Sequence, residues 1–399
     1  MEMSNRDLPT PEWIASLRRR FPCEPEVDRF LTDKLEKRHQ PPYKPVKVAD
    51  LCDRLSALLV ANGLSDFKLE TPRWLTGGAS KLQMAFNLNW HSPTKGPSNT
   101  PMVLRMQPAE SIVETSRLRE FQLLKAMAGV VPAPDAFWVD NNGEYLPYPA
   151  LVCGFVAGVT KPTAGEGGEV SGMGTHYGPR LRALLAPQFV NMLAKIHTFR
   201  WQSADLSAFE VPAGGTLVAE RQLNWWRRVA EEDALAPVPL LTLTEQWLRS
   251  NLPSVDQVSL LHGDYRCGNF LFDERSGEIT AWLDWELGHL GDRHEDLSWC
   301  VLRTWGHVDS STGDDLICGL MTQSEFLTQY ERVSGLPIDN DKLHYYTVLN
   351  AWKTVVMAQF TAYRVAVGGK SHQDVLVAWC IGVAAKFAEQ LAELMDEVI

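Results

Sequence analysis

No stretch of this sequence stays apolar over the roughly 18–20 residues that a bilayer-spanning helix requires, which excludes that kind of membrane protein. The N-terminus, MEMSNRDLPTPEWIASLRRRFP, carries charges where a signal peptide needs its apolar core, so a cytoplasmic location is the expectation. The 7 cysteines are odd in number and scattered (Cys23, Cys52, Cys153, Cys267, Cys300, Cys318, Cys380), with no CxxC pair and no Cys/His cluster of zinc-like spacing. This argues against a disulfide framework and a structural zinc site, and predicts reduced, mostly buried thiols. Positive charge is in deficit, with 38 Lys and Arg against 49 Asp and Glu and a net charge of −11. Nucleic acid, whose binding depends on neutralised phosphates, is therefore not an expected partner. No internal repeat marks the chain as a solenoid or propeller.

What is present is the material of a folded domain. The 399 residues are 45% hydrophobic and 22% charged, enough for one large core or two ordinary ones. Residues 1–45 have mixed charge, several prolines and one short amphipathic stretch near Trp13–Arg20, and read as an N-terminal extension. Residues 48–63 carry Leu51, Leu55, Leu58 and Leu59 at helical spacing and stop at Asn62-Gly63. From 68 to 108 the pattern changes to strands. There is a turn at Thr76-Gly77-Gly78-Ala79-Ser80, an alternation through Leu82, Met84, Phe86 and Leu88, a polar loop over 91–101, and a short apolar strand at Met102–Met106. A helix is predicted over 110–128, then strands at Phe137–Val139 and Pro149–Val156. The glycine-rich stretch 161–180 reads as a mobile connection. Helical patterns follow at 187–197, 215–233, 241–250, 322–334, 341–366 and 373–398. The expected fold is α+β and bilobal: an extension (1–45), a small β-rich lobe (46–156) and a larger α-rich lobe (157–399).

The segment 258–299, VSLLHGDYRCGNFLFDERSGEITAWLDWELGHLGDRHEDLSW, concentrates the chemistry. Val258–Leu261 is a short strand, followed by a loop with Asp264 and Asn269. Phe270–Asp273 and Ile279–Leu283 read as a hairpin around Arg275-Ser276-Gly277, and the second strand ends on Asp284. If the turn centres on Ser276-Gly277, counting outward sets Asn269 opposite Asp284, with Asp264 on the adjoining loop. A register error of one residue would break the opposition but leave both at the same end. An amide oxygen beside a carboxylate suits Mg²⁺, a hard cation that keeps several waters. A second carboxylate nearby can orient a hydroxyl and accept its proton. These are the parts that phosphoryl transfer needs. Taken singly, each residue is also an ordinary turn or cap residue; the combination next to His262-Gly263 is what singles them out.

This segment resembles the catalytic core of the aminoglycoside phosphotransferase-like family, a branch of the protein-kinase-like fold with HGD-x4-N and a strand ending in Asp. His262-Gly263-Asp264, Asn269 and Asp284-Trp285-Glu286 stand in those places. The resemblance implies Asp264 as catalytic base, Asn269 and Asp284 as magnesium ligands, and ATP as phosphoryl donor. Gly291-Asp292 and Asp296-Leu297 resemble the family's GDP…DLA stretch, with Arg293 in place of proline. Asp296 is expected to be structural, while Asp292 and Glu286 have no assigned role. Only twelve residues run from Asp284 to Asp296, which leaves no room for the peptide-docking segment of a protein kinase. A small-molecule hydroxyl is the expected acceptor.

The same resemblance extends to the small lobe. Gly77, Gly78 and Ser80 match a GG-x-S turn whose backbone N–H groups approach phosphates; Lys81 replaces the family's Asn and would contact phosphate or face solvent. Arg105 takes the strand position of the kinase lysine, as in acyl-CoA-dehydrogenase-associated and macrolide-phosphotransferase-like members. Glu120, in Arg119-Glu120-Phe121, is an acid on an apolar stripe and is the implied partner of Arg105. Leu151–Val156 stands where the family meets adenine, with backbone contacts expected near Gly154 and Val156. The acceptor side has no transferable motif. Tyr265, Arg266, Trp285, Glu286, His289, Tyr345, Tyr346, Asn350 and Trp352 are candidates. Arg221-Gln222-Leu223 and Trp225-Trp226 resemble a helix of the acyl-CoA-dehydrogenase-associated branch, which favours a hydroxyacyl-CoA acceptor over an aminoglycoside or macrolide antibiotic. The competing reading is a nucleotide-binding pseudokinase or regulatory module without transfer activity.

Overall fold

The computed structural model describes residues 5–75, 81–163, 174–255, 257–370 and 374–397. The turn with Gly77, Gly78 and Ser80, and residues 164–173 of the glycine-rich connection, lie outside the described residues.

Two helices open the chain, α1 (Pro11–Arg20) and α2 (Pro25–Glu36), each with proline in its first turn, where the missing N–H costs nothing. Residues 11–36 are therefore more structured than one amphipathic stretch suggested. Helix α3 (Val48–Ala61) follows, and then β1 (Phe67–Trp74), β2 (Leu82–Ser92) and β3 (Gly96–Met106). Next come α4 (Arg117–Met127), β4 (Ala136–Asp140) and β5 (Ala150–Gly154). The five strands form one antiparallel sheet in the order β1-β2-β3-β5-β4.

Strand alternation sorts this sheet into two faces. Leu82, Met84, Phe86 and Leu88 of β2 and Met102, Leu104 and Met106 of β3 pack with Leu51, Leu55, Leu58 and Leu59 of α3. Val103 and Cys153 belong instead to the core that contains Leu123, Leu124 and Met127 of α4. Arg105, two residues after Val103, thus falls on the α4 face of the sheet.

Helix α4 is shorter than the pattern over 110–128 predicted. It begins after Ser116, whose hydroxyl accepts the Arg119 N–H. Upstream, Glu114 accepts the Ser111 N–H and the Gln107 side-chain amide, both at 2.7 Å. These local side-chain bonds compete with helical ones and keep 110–116 as a loop.

The larger lobe is built from α5 (Gly178–His197), α6 (Leu217–Asp233) and α7 (Pro239–Ser250), and then the segment 258–299. That segment holds β6 (Ser259–Leu261), β7 (Phe270–Asp273), β8 (Glu278–Trp282), β9 (His289–Gly291) and α8 (His294–Val301). Three very short strands lead to α9 (Gln323–Ser334) and α10 (Asn340–Val356). The single helix expected over 341–366 is broken by a π-helical turn at Met357–Thr361 before α11 (Ala362–Gly368). Likewise 373–398 divides into α12 (Asp374–Gly382) and α13 (Ala384–Asp396).

The β7–β8 hairpin departs from the predicted register. Phe270 pairs with Trp282 and Leu271 with Ala281, but Phe272 pairs with Ile279, so Thr280 is an extra residue in a bulge. The turn spans Glu274–Gly277 and closes with the Gly277 N–H on the Asp273 carbonyl. Asn269 consequently faces Leu283, whose N–H it accepts at 2.8 Å, and not Asp284. Asp284 lies one residue beyond, in a left-handed conformation (φ 56°, ψ 49°).

Candidate active site

The HGD loop is held from behind. Asp296 of α8 is fully buried and accepts the backbone N–H groups of His262 and Gly263 at 2.7 and 2.8 Å. It also meets His197 at 3.2 Å. Burial alone would raise the Asp296 carboxyl, yet the bond from His197 and the charges and N–H groups around it hold it below the usual range. His262 accepts the Asp264 N–H on Nδ1 and so presents Nε2–H to the Leu283 carbonyl, at 3.0 Å. That is the neutral tautomer, in keeping with the downward shift that burial imposes on it. Only glycine fits at 263, because a Cβ there would lie 2.3 Å from the Leu287 carbonyl oxygen. Asp292, the other carboxylate of this stretch, is taken up by His294 at 2.6 Å.

On this loop the Asp264 carboxylate is gripped by three donors. Trp299 Nε1 and Arg266 Nε both reach Oδ1 at 2.8 Å, and Asn269 Nδ2 reaches Oδ2 at 2.6 Å. Burial raises the Asp264 carboxyl against the pull of Arg266 and His262, which favours proton acceptance. Since Asn269 Nδ2 also donates to the Asp264 carbonyl, its Oδ1 is the atom left for another partner. Arg266 and Asn269 line a cavity of about 770 Å³ together with Asp284, Arg105 and Glu120. The same cavity reaches Gly154 and Val156 at one end. The Gly154 N–H is already given to the Asp135 carbonyl at 2.8 Å, so it is not free for adenine.

Arg105 is the hinge of the charged wall. Its Nη2 donates to Asp284 Oδ1 at 2.8 Å, and its Nε lies 3.2 Å from Glu120 Oε1. Burial alone would lower the Arg105 pKa, but Glu120 and Asp284 raise it, so its charge is permanent. Glu120 also pairs with Arg117. The sequence reasoning missed Arg117, which reaches on to Glu286 at 3.1 Å. Lys81, expected to touch phosphate or face solvent, is instead 1% exposed and lies 3.0 Å from Glu286. Burial would raise the Glu286 carboxyl, but Lys81, Arg117 and Arg105 hold it down at about 2. Trp299 was missed too. Its place beside Asp264 depends on how α8 docks, which no local pattern encodes.

Another part of the lining differs in substance. Trp305, Met357, Ala358, Trp379, Cys380 and Phe387 come from the end of α8's loop, the π-helical turn, α12 and α13. Of the acceptor-side candidates, Arg266 and Trp285 line the cavity. Tyr345, Tyr346, Asn350 and Trp352 are buried behind it, and His289 binds Glu295 at 3.1 Å.

Among the described residues, no group of three or more His, Cys, Asp or Glu side chains is placed to hold a metal ion. The donor set here is smaller and harder: one amide oxygen of Asn269 and the carboxylate of Asp284. That set fits Mg²⁺, which takes few protein ligands and completes its shell with water and phosphate. Among the described residues no helix is long and apolar enough to cross a membrane.

A bilobal α+β architecture with this loop and hairpin is that of the protein-kinase-like fold. The chain belongs to the phosphotransferase enzyme family, whose model matches residues 87–330, more than half its length. A solved structure from Ralstonia eutropha, put forward as an aminoglycoside phosphotransferase, shares the fold with a TM-score of 0.61 and 21% identity; the match covers 87% of this chain and 98% of that one. Acyl-CoA dehydrogenase family member 11 of Pongo abelii is 27% identical over 202 residues, 49% of this chain and 26% of that protein. Family member 10 of Mus musculus is 25% identical over 307 residues, 73% of this chain and 27% of that protein. The chain thus spans about a quarter of the length of these curated relatives.

Proposed function

We propose that this phosphotransferase moves the γ-phosphoryl group of ATP to a hydroxyl of a small molecule with an apolar acyl portion, of which a hydroxyacyl-CoA thioester is the favoured example. The observation that carries the transfer chemistry is the Asp264 carboxylate, fixed by Trp299, Arg266 and Asn269 beside a cavity that also holds Arg105 and Asp284.

In this reading Asp264 orients the acceptor O–H and takes its proton as the oxygen attacks the γ-phosphorus. The bond between that phosphorus and the β–γ bridging oxygen breaks, and ADP leaves with the electron pair. Asn269 and Asp284 would hold Mg²⁺, which neutralises phosphate charge when bound. Arg105, steadied by Glu120, clamps the phosphates with a charge that never titrates. Gly77, Gly78 and Ser80 would offer them backbone N–H groups, and Val156 would offer its backbone to adenine.

The acceptor assignment rests on the apolar wall. Trp305, Met357, Ala358, Trp379 and Phe387 supply carbon surface, and the nearby charge is the cation Arg266. A polycationic aminoglycoside needs carboxylates, and in this reading the two lining carboxylates are committed elsewhere, Glu120 to Arg105 and Asp284 to Mg²⁺. Relatives named acyl-CoA dehydrogenase family members carry a region similar to this chain, and an acyl thioester is the chemistry common to that name and this wall. The test is a mass-spectrometric screen for a gain of about 80 daltons, one phosphoryl group, across hydroxyacyl-CoA thioesters, aminoglycosides, macrolides and amino alcohols. Labelling of hydroxyacyl thioesters supports the full reading. Labelling of aminoglycosides alone would overturn the acceptor assignment, and Mg²⁺-dependent ATP binding without transfer to any of them would favour a pseudokinase.

A further inference from the structure

The first turn of α4 is held from two sides. On the cavity side, Arg117 meets Glu286 and Glu120 meets Arg105. On the far side it meets the N-terminal helices. Glu26 of α2 accepts the hydroxyl of Ser116, the residue that caps α4. Glu24, immediately before α2, lies 3.5 Å from Arg119, and the guanidinium of Arg119 stacks over Phe209 at 4.2 Å. In the loop leading into α4, Glu110 lies 3.3 Å from Arg38. All of these groups are buried or nearly so: Glu24 is 6% exposed, Ser116 2% and Arg119 2%.

Helix α2 is in turn anchored on α6 of the larger lobe. Lys34 lies 2.7 Å from Glu232 and 3.1 Å from Asp233, and Arg38 lies 2.6 Å from Asp233. Arg228 reaches both Asp28 and Thr32 of α2, and Phe30 packs edge-on against Trp225 at 5.7 Å. Buried charges of this kind are costly unless paired, so the partners fix each other's positions. The N-terminal segment therefore connects a rigid point on the larger lobe to one turn of a small-lobe helix, and that turn carries Glu120.

We propose that α2 is a positioning element: Glu24 and Glu26 clamp the first turn of α4 and so hold Glu120 against Arg105. The proposal builds on the reading of Arg105 as a phosphate clamp, but its structural half stands apart from it. Glu26 binds the cap that starts the helix, and a lost N-cap frays the first turn, which is where Glu120 lies. When that turn frays, Arg105 keeps Asp284 as its partner and loses the carboxylate that orients it toward phosphate.

The experiment uses the full chain with Glu24→Ala and Glu26→Ala combined, and Glu26→Gln as a conservative variant that still accepts the Ser116 hydroxyl. Amide hydrogen exchange across residues 117–127 is read first. The expected result is exchange about tenfold faster in the double variant, with α6 and α10 unchanged, and near-parent exchange in Glu26→Gln. KM for ATP is expected to rise by about tenfold while KM for the acceptor holds, a split that general instability would not produce. Unchanged exchange at 117–127, or equal loss of protection throughout α6 and α10, overturns the positioning role. If the parent chain transfers no phosphate at all, the phosphotransfer reading falls, and the exchange comparison still decides whether α2 braces α4.

Discussion

The two walls of the cavity are made of opposite materials. On and just behind the charged wall, Arg105 lies between Glu120 and Asp284, Glu286 lies between Lys81 and Arg117, and Asp264 is held by Trp299, Arg266 and Asn269. Each of these charges has a partner of opposite sign or a hydrogen-bond donor in place before any ligand arrives. On the other side, Trp305, Met357, Ala358, Trp379 and Phe387 present carbon, and Trp379 remains 38% exposed. A wall of paired charges is specific in geometry, because moving one group strands another in a desolvated place. A wall of carbon is specific mainly in shape and volume, and tolerates substitution better. The charged wall should thus govern whether transfer happens, and the apolar wall which acceptor is used.

That contrast can be broken most severely at Asp264. Asp264→Asn should lower kcat by about 100- to 10,000-fold while ATP affinity stays near that of the parent, measured by steady-state kinetics beside calorimetric titration. Retained turnover would remove Asp264 from the chemistry. Next comes Glu120→Gln, which takes away one charge-assisted contact to Arg105. KM for ATP should rise by roughly 10- to 100-fold with KM for the acceptor little changed. Were acceptor KM to rise instead, the division between the walls would be wrong. Trp379→Ala should do the reverse, raising acceptor KM on the order of fivefold and leaving ATP KM alone, since it removes part of a half-exposed apolar surface.

The smallest effect on turnover at neutral pH is expected from behind both walls. There Glu295 is buried between Lys353 at 2.7 Å and His289 at 3.1 Å. Burial would raise its carboxyl, but Lys353 and His289 hold it down from 4.5 to about 2. A carboxyl depressed on folding contributes stability above its unfolded pKa, and that contribution is lost as pH falls toward the folded value. Denaturation midpoints should therefore drop as pH falls from 4.5 toward 2, and Glu295→Gln should make that slope shallower. An identical slope in the variant would assign the acid sensitivity elsewhere.

The legible part of this protein was local in sequence. Asp264, Asn269 and Asp284 share one loop and hairpin, so short-range spacing was enough to bring them to one end. The register of that hairpin was not legible, because the Thr280 bulge depends on how β7 and β8 twist against their neighbours. The start of α4 was misplaced for a related reason. Residues 110–116 have helical periodicity, but Glu114 and Ser116 spend their side chains on nearby backbone groups. Lys81 read as a surface or phosphate-facing residue, and only its partner Glu286, some two hundred positions away, explains its burial.

By itself, then, the sequence determined the α+β lobes and the loop and hairpin that bring Asp264, Asn269 and Asp284 to one end, because strand and loop periodicities act over a few residues. The tertiary structure alone decided which charges pair across the lobes, how the N-terminal helices reach α4, and that Trp305, Met357, Ala358, Trp379 and Phe387 line one cavity with Arg105 and Asp284. Those contacts join residues far apart in the chain, and their energies depend on desolvation and packing that no local pattern records.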